Sequence, residues 1–195
     1  MDKHFSTIRM TQLALLIAIE LIMAVTPLGY IMIPPISATL MHIPVIVGAL
    51  VMGPKAGAAL GTVFGLTSLW KASTQATSPV DLAFSPFVSG KPIQSLIMCM
   101  GPRILLGVIA ALLFKAFIKT FHGKERISIG LSAVLATICH TVMVLGLLAI
   151  FFSEFGMGVM TVVLSLVTVS SACEMLVAAI ISVAVCIPLR RSLGQ

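Results

Sequence analysis

Charge is what this sequence has least of. Only 9% of its 195 residues are Asp, Glu, Lys or Arg, against 59% hydrophobic, and the mean hydropathy is +1.17. A soluble domain carries about 25% charged residues. A water-facing surface cannot be built from so few, so lipid must be the solvent. Chemistry is equally sparse. The chain has no HExxH, no GxSxG and no paired-carboxylate motif, which leaves an enzyme without a nucleophile–base pair or a metal cluster. SGKP at 89–92 is not a phosphate-binding loop, because Lys91 precedes a proline and no glycine stands five positions before Gly90; ATP hydrolysis is not expected of this motif. The four cysteines, Cys99, Cys139, Cys173 and Cys186, contain no CxxC pair and all fall in apolar runs. They read as small packing residues, and neither a metal nor a disulfide is expected. No internal repeat stands out, as one would in many secondary transporters.

What is present is apolar helix. A span needs about 20 apolar residues, so six spans and short loops use the whole chain as one membrane domain over 1–195. Apolar runs and breakers predict helices over about 7–26, 39–52, 56–71, 93–117, 127–151 and 159–189. The first has a charged start, Lys3 and Arg9, but is as long as a span and lacks a clean cleavage pair, so it reads as a helix rather than a signal peptide. Pro27, Gly29, Pro34 and Pro35 make a loop of PLGYIMIPPIS, and a polar, proline-bearing stretch covers 72–92. The second and third helices are short, which implies tilt or partial burial. The fold class expected is an all-α membrane protein of six transmembrane helices.

Basic residues orient it. With the N-terminus in the cytoplasm, Lys3, Arg9, Lys55, Lys115, Lys119, Lys124, Arg126, Arg190 and Arg191 lie inside, and Lys71 and Lys91 outside. Both termini are therefore expected to be cytoplasmic. The two distinctive loops then lie on the outer face, where they suit capture of an external solute.

Few residues carry a specific message. Gly53, Gly57, Gly61 and Gly65 recur every four positions and read as a close-packing stripe within the domain; Ala14 and Ala18 form a weaker one. Arg103 falls inside the helix over 93–117, where a buried arginine costs about 2.5–3.5 kcal/mol on insertion scales. It reads either as a clamp for an anionic solute, since guanidinium matches carboxylate bidentately, or as an ion pair with Glu20 or Glu174. Pro102 beside it frees a backbone carbonyl. Glu174 and His140 lie near the middles of their helices. Thr67, Ser68 and Trp70 cluster at one helix end, where Trp70 reads equally as an interface anchor. Tyr30, Gln75, Phe84 and Ser85 sit in the outer loops.

The run ATLMHIPVIVGALVMGPKAGAALGTVFGLTSLW (38–70), with FSPF (84–87) and PRILLGVIAALLFK (102–115), resembles the substrate-binding S components of energy-coupling factor (ECF) vitamin transporters. The resemblance covers essentially the whole chain and is greatest to the pantothenate branch. It implies the S-component fold and a binding subunit rather than an enzyme. It implies a vitamin held by Arg103, Trp70, Ser68, Thr67, His140 and Glu174 under loops bearing Tyr30 and Phe84. Ala14 and Ala18 match the family's AxxxA contact with the coupling subunit. The implied partners are that transmembrane subunit, EcfT, and two ATPases, EcfA and EcfA', which use the ATP; this chain needs no cofactor. The bacterial plasma membrane is the implied location, and nucleic acid is not an expected partner. The family pattern has Asn in a TNT-like triplet where this chain has His140 in CHT, and a larger vitamin such as cobalamin is the alternative ligand. A self-sufficient secondary transporter is a third reading.

Overall fold

A computed structural model describes residues 3–33, 36–76, 79–151 and 156–192, with side-chain surroundings given outside 3–6, 30–38, 79–80, 156–170 and 192. Among the described residues seven helices and one hairpin follow in the order α1 (Lys3–Val25), β1 (Tyr30–Ile33), β2 (Ile36–Thr39), α2 (His42–Met52), α3 (Pro54–Thr74), α4 (Pro79–Ala83), α5 (Pro92–Thr120), α6 (Glu125–Phe151) and α7 (Gly156–Ser192). The all-α expectation holds for every long element. Its exception is the loop over 27–38, where β1 and β2 pair antiparallel with Tyr30 opposite Thr39 and Ile33 opposite Ile36. The β-branched and aromatic residues flanking Pro34-Pro35 favour extended backbone, and a proline pair cannot sit inside a helix.

Among the described residues four segments are long and apolar enough to cross a membrane: Thr7–Val25, Pro92–Thr120, Glu125–Phe151 and Ser171–Arg191. Their outward residues are large and apolar, among them Leu15, Ile22, Leu105, Leu112, Val142, Ile150, Leu176 and Ile180. Their inward residues are often small, such as Ser128, Ser132, Ala133 and Ala136 on α6. That distribution is expected where lipid tails are as apolar as the core and packing rather than hydrophobicity drives helix contact. The chain is thus a multi-pass membrane protein.

The 11 residues of α2 reach only about 16 Å. So short a helix implies tilt or partial burial; burial is continuous from His42 to Val51, because α2 packs against α1, α3, α5, α6 and α7. Gly53 ends it with φ 93° and hands over to Pro54 at the first turn of α3. This is the usual division of labour between a positive-φ glycine stop and a proline start. Gly53 therefore serves the turn and leaves the stripe, since a Cβ there would meet nothing.

The other three stripe glycines bring α3 against α5. A Cβ on Gly57 would stand 2.7 Å from the Gly107 carbonyl oxygen, one on Gly61 would fall on the Arg103 carbonyl oxygen, and one on Gly65 would stand 2.6 Å from the Met100 sulfur. The stripe's packing role is internal, and Gly61 fixes the depth of Arg103. Gly61→Ala should cost about 1–3 kcal/mol of stability by overpacking, read as a lower thermal midpoint of the purified protein. Gly101→Ala, with open space beside it, should leave the midpoint unchanged or slightly higher.

The two ends of the bundle are tied differently. At one end Arg190 pairs with Glu125 (2.5 Å), donates to the Leu50 carbonyl (3.2 Å) and lies over the Phe114 ring (4.8 Å). This joins α7 to α6, α2 and α5. At the other end the Lys91 ammonium donates to the Phe151 carbonyl at 3.0 Å, and the Glu174 carboxylate accepts the Thr39 backbone N–H at 2.8 Å, tying the hairpin to α7.

Candidate functional site

The site is organised by the break in α5. Pro102 has no N–H, so the Met98 carbonyl four residues earlier loses its helical partner. The next residue supplies a replacement: Arg103 donates Nη1–H to that carbonyl at 2.6 Å. The buried guanidinium also lies between two aromatic faces, 5.5 Å from the centre of Phe64 on α3 and 5.1 Å from that of Phe84. Cation–π attraction of this kind strengthens as water is excluded. Among the described residues, the Met98 carbonyl and these two rings hold the cation in place.

Phe84 is held over this point by the segment after α4. Its carbonyl accepts from the Cys99 thiol at 3.3 Å, the Ser95 hydroxyl donates to the Ala83 carbonyl at 2.6 Å, and Ser85 and Ser73 share a hydrogen bond of 3.2 Å. The segment over 84–91 is thus fastened to α5 and α3, where the sequence suggested only a polar loop.

Other expected residues divide into two groups. His140 joins the cluster, its ring centre 6.1 Å from that of Phe64. Thr67 and Ser68 are buried one turn beyond Phe64 on α3, and the Thr67 hydroxyl donates to the Phe64 carbonyl at 2.9 Å. Trp70 is not brought in. It is 45% exposed, because it follows Phe64 by six residues, about 120° away around the helix. Glu174 serves the hairpin through Thr39. Tyr30 lies in β1, with its side chain outside the described residues. Neither acid suggested as the partner of Arg103 fills that role. Glu174 meets Thr39, and both carboxyl oxygens of the fully buried Glu20 make no hydrogen bond.

Phe64 and His42 were missed as site residues. His42, at the start of α2, is 1% exposed, and its Nε2 makes no hydrogen bond to any described protein group. A histidine at the head of an otherwise apolar helix was the available signal. Ala14 and Ala18 lie elsewhere, both exposed on α1, on the side away from the inward-facing Leu16, Glu20 and Met23.

This arrangement offers an oriented cation, aromatic walls and small polar groups. That is equipment for binding. The sequence profile described as "ECF transporter, substrate-specific component" matches residues 8–187. The chain belongs to this family. As an S component it is a transporter subunit and not an enzyme. Two relatives share its sequence. The pantothenic acid transporter PanT of Lactococcus lactis subsp. cremoris (strain MG1363) is 33% identical over 158 residues, 77% of this chain and 76% of the relative. The pantothenate transporter PanT of Leuconostoc mesenteroides subsp. mesenteroides is 29% identical over 128 residues, 65% of this chain and 58% of the relative.

Proposed function

We propose that this S component captures pantothenate from outside a bacterial cell and delivers it to an ECF-type ABC importer. The observation that carries the reading is the Arg103 guanidinium, buried, aimed by the Met98 carbonyl and cradled by Phe64 and Phe84. Such a group offers a carboxylate a fixed fork in a medium where the ionic hydrogen bond is strong. Pantothenate carries one carboxylate, and both relatives are named for its transport. Thr67, Ser68 and His140 supply polar contacts, and Phe84 a wall. Trp70, Tyr30 and Glu174 belong to the rim of this reading, through the end of α3 and the hairpin.

The same reading gives six membrane crossings, α1, α2, α3, α5, α6 and α7. Lys55, Lys119, Lys124, Arg190 and Arg191 then gather at the end that holds the Arg190–Glu125 pair, which the positive-inside rule makes cytoplasmic. Both termini lie on that side, and the hairpin and the segment over 84–91 on the outer side. The chain carries no phosphate-binding loop, so energy comes from partners: a coupling subunit, EcfT, and two ATPases, EcfA and EcfA'.

The test is calorimetry on the purified chain. Saturable one-to-one binding of pantothenate is expected, with no accumulation of the vitamin in proteoliposomes that hold this chain alone. Absence of pantothenate binding, or a different vitamin such as cobalamin retained in native mass spectrometry, would remove the assignment. Accumulation by the chain alone would make it a self-sufficient transporter.

A further inference from the structure

Arg103 accounts for the anionic end of a solute and His140 for a polar contact, which leaves a second buried imidazole, His42, without a part in that reading. His42 is 1% exposed and His140 is 7% exposed. The Nε2 atom of each makes no hydrogen bond to any described protein group. They belong to one place. α2 touches α6, the fields of His42 and Arg103 both reach His140, and His140 lies against the same Phe64 ring that carries the guanidinium.

A neutral imidazole carries its N–H on one nitrogen and a lone pair on the other, and we place the proton of His42 on Nδ1, because Nε2 is the buried atom that meets no donor or acceptor of the described protein. Nε2 is then a lone-pair acceptor. Three residues before His42, Thr39 is held by Glu174, which ties the chain entering α2 to α7. A buried acceptor with nothing to accept is unfavourable, and a leucine or phenylalanine would pack this position without that cost.

We propose that His42 determines substrate specificity: its Nε2 accepts a hydrogen bond from a hydroxyl of the solute whose carboxylate Arg103 holds, and His140 makes a second polar contact beside it. The inference rests on the pantothenate reading and deepens it. A donor fork with a hydroxyl acceptor in the same cluster selects a molecule that carries both a carboxylate and a hydroxyl donor. Pantothenate has its carboxylate on the β-alanine part and both hydroxyls on the acyl part.

The experiment measures binding of two probes by the purified full chain. One is pantothenate. The other is N-(3,3-dimethylbutanoyl)-β-alanine, which keeps the carboxylate and amide but lacks both hydroxyls. The unaltered protein should prefer pantothenate by about 30-fold or more, because a site built around a hydroxyl leaves its acceptor unpaired with the analogue. His42→Asn keeps a donor near the Nδ1 position and removes the atom at Nε2. It should collapse the preference to within about threefold by weakening pantothenate alone. His42→Gln restores a polar atom at the Nε2 position and should keep most of the preference.

An unchanged ratio in His42→Asn, or equal weakening of both probes in both variants, would show that the imidazole has only a structural role. Equal affinity of the unaltered protein for the two probes would overturn the histidine assignment while leaving Arg103 its role. Binding of neither probe would remove the pantothenate reading itself and this inference with it.

Discussion

Arg103→Met should lower pantothenate affinity by about 100- to 1,000-fold while changing thermal stability little. The loss follows from stranding a desolvated carboxylate, which typically costs about 2–5 kcal/mol, at 1.4 kcal/mol per tenfold. The small stability change follows from two opposed terms. Methionine removes a charge that is expensive in the membrane interior, but it leaves the Met98 carbonyl without the donor that Pro102 made necessary. Arg103→Lys should fall between, at about 10- to 100-fold weaker binding. An ammonium keeps the charge but loses the planar fork and stacks less well between Phe64 and Phe84. Calorimetry for affinity and a thermal midpoint for stability separate the two roles of the residue. If Arg103→Met bound pantothenate within about threefold of the unaltered protein and unfolded at markedly lower temperature, the guanidinium would be a structural part of α5.

The sequence marks the helices well, because each is a long apolar run closed by proline, glycine or a basic cluster. Observed ends fall within a few residues of expectation: Pro92–Thr120 for 93–117, and Glu125–Phe151 for 127–151. The facing of each helix is much harder to read. In water the buried side of a helix is marked by hydrophobicity, whereas in lipid both sides are apolar and only small residues mark contact. Trp70 illustrates the difficulty. It is grouped with Thr67 and Ser68 because they are neighbours in the chain, yet it is 45% exposed while both of them are buried. The glycine stripe does not decide it. Gly57, Gly61 and Gly65 face α5, and Trp70 is turned about 140° from Gly65, but the buried Thr67 is turned about 160° from it.

The hairpin was harder for a different reason. Its strands are four residues each, too short for alternation to stand out beside Pro34 and Pro35, and their tether is a contact 135 positions away between Thr39 and Glu174. The Arg103 site was half legible. Pro102 announces a freed carbonyl, but that the adjacent side chain returns to fill it depends on Phe64 and Phe84 closing over the guanidinium from two other segments.

Ala14→Leu combined with Ala18→Leu should abolish uptake, by more than about tenfold, while leaving pantothenate binding within about twofold. The asymmetry comes from where these residues stand. Both are exposed on α1, while Leu16, Glu20, Met23 and Ala24 of the same helix face the bundle. Leucine at 14 and 18 therefore meets lipid rather than α2 or α3, and the Arg103 cluster on α3, α5 and α6 is undisturbed. Docking is another matter. Two helices in lipid approach closely only where small residues let the backbones meet, because tails give no hydrophobic gain on association. Two isobutyl groups on that line would hold a partner helix away and forfeit much of the dispersion energy of contact. The measurement pairs calorimetry of the purified double variant with pantothenate uptake by vesicles that also contain the coupling subunit and the ATPases. Full uptake by the variant would move the docking face off this side of α1. Loss of binding in the purified variant would mean that α1 supports the site, and the separation between capture and coupling argued from its two faces would fail.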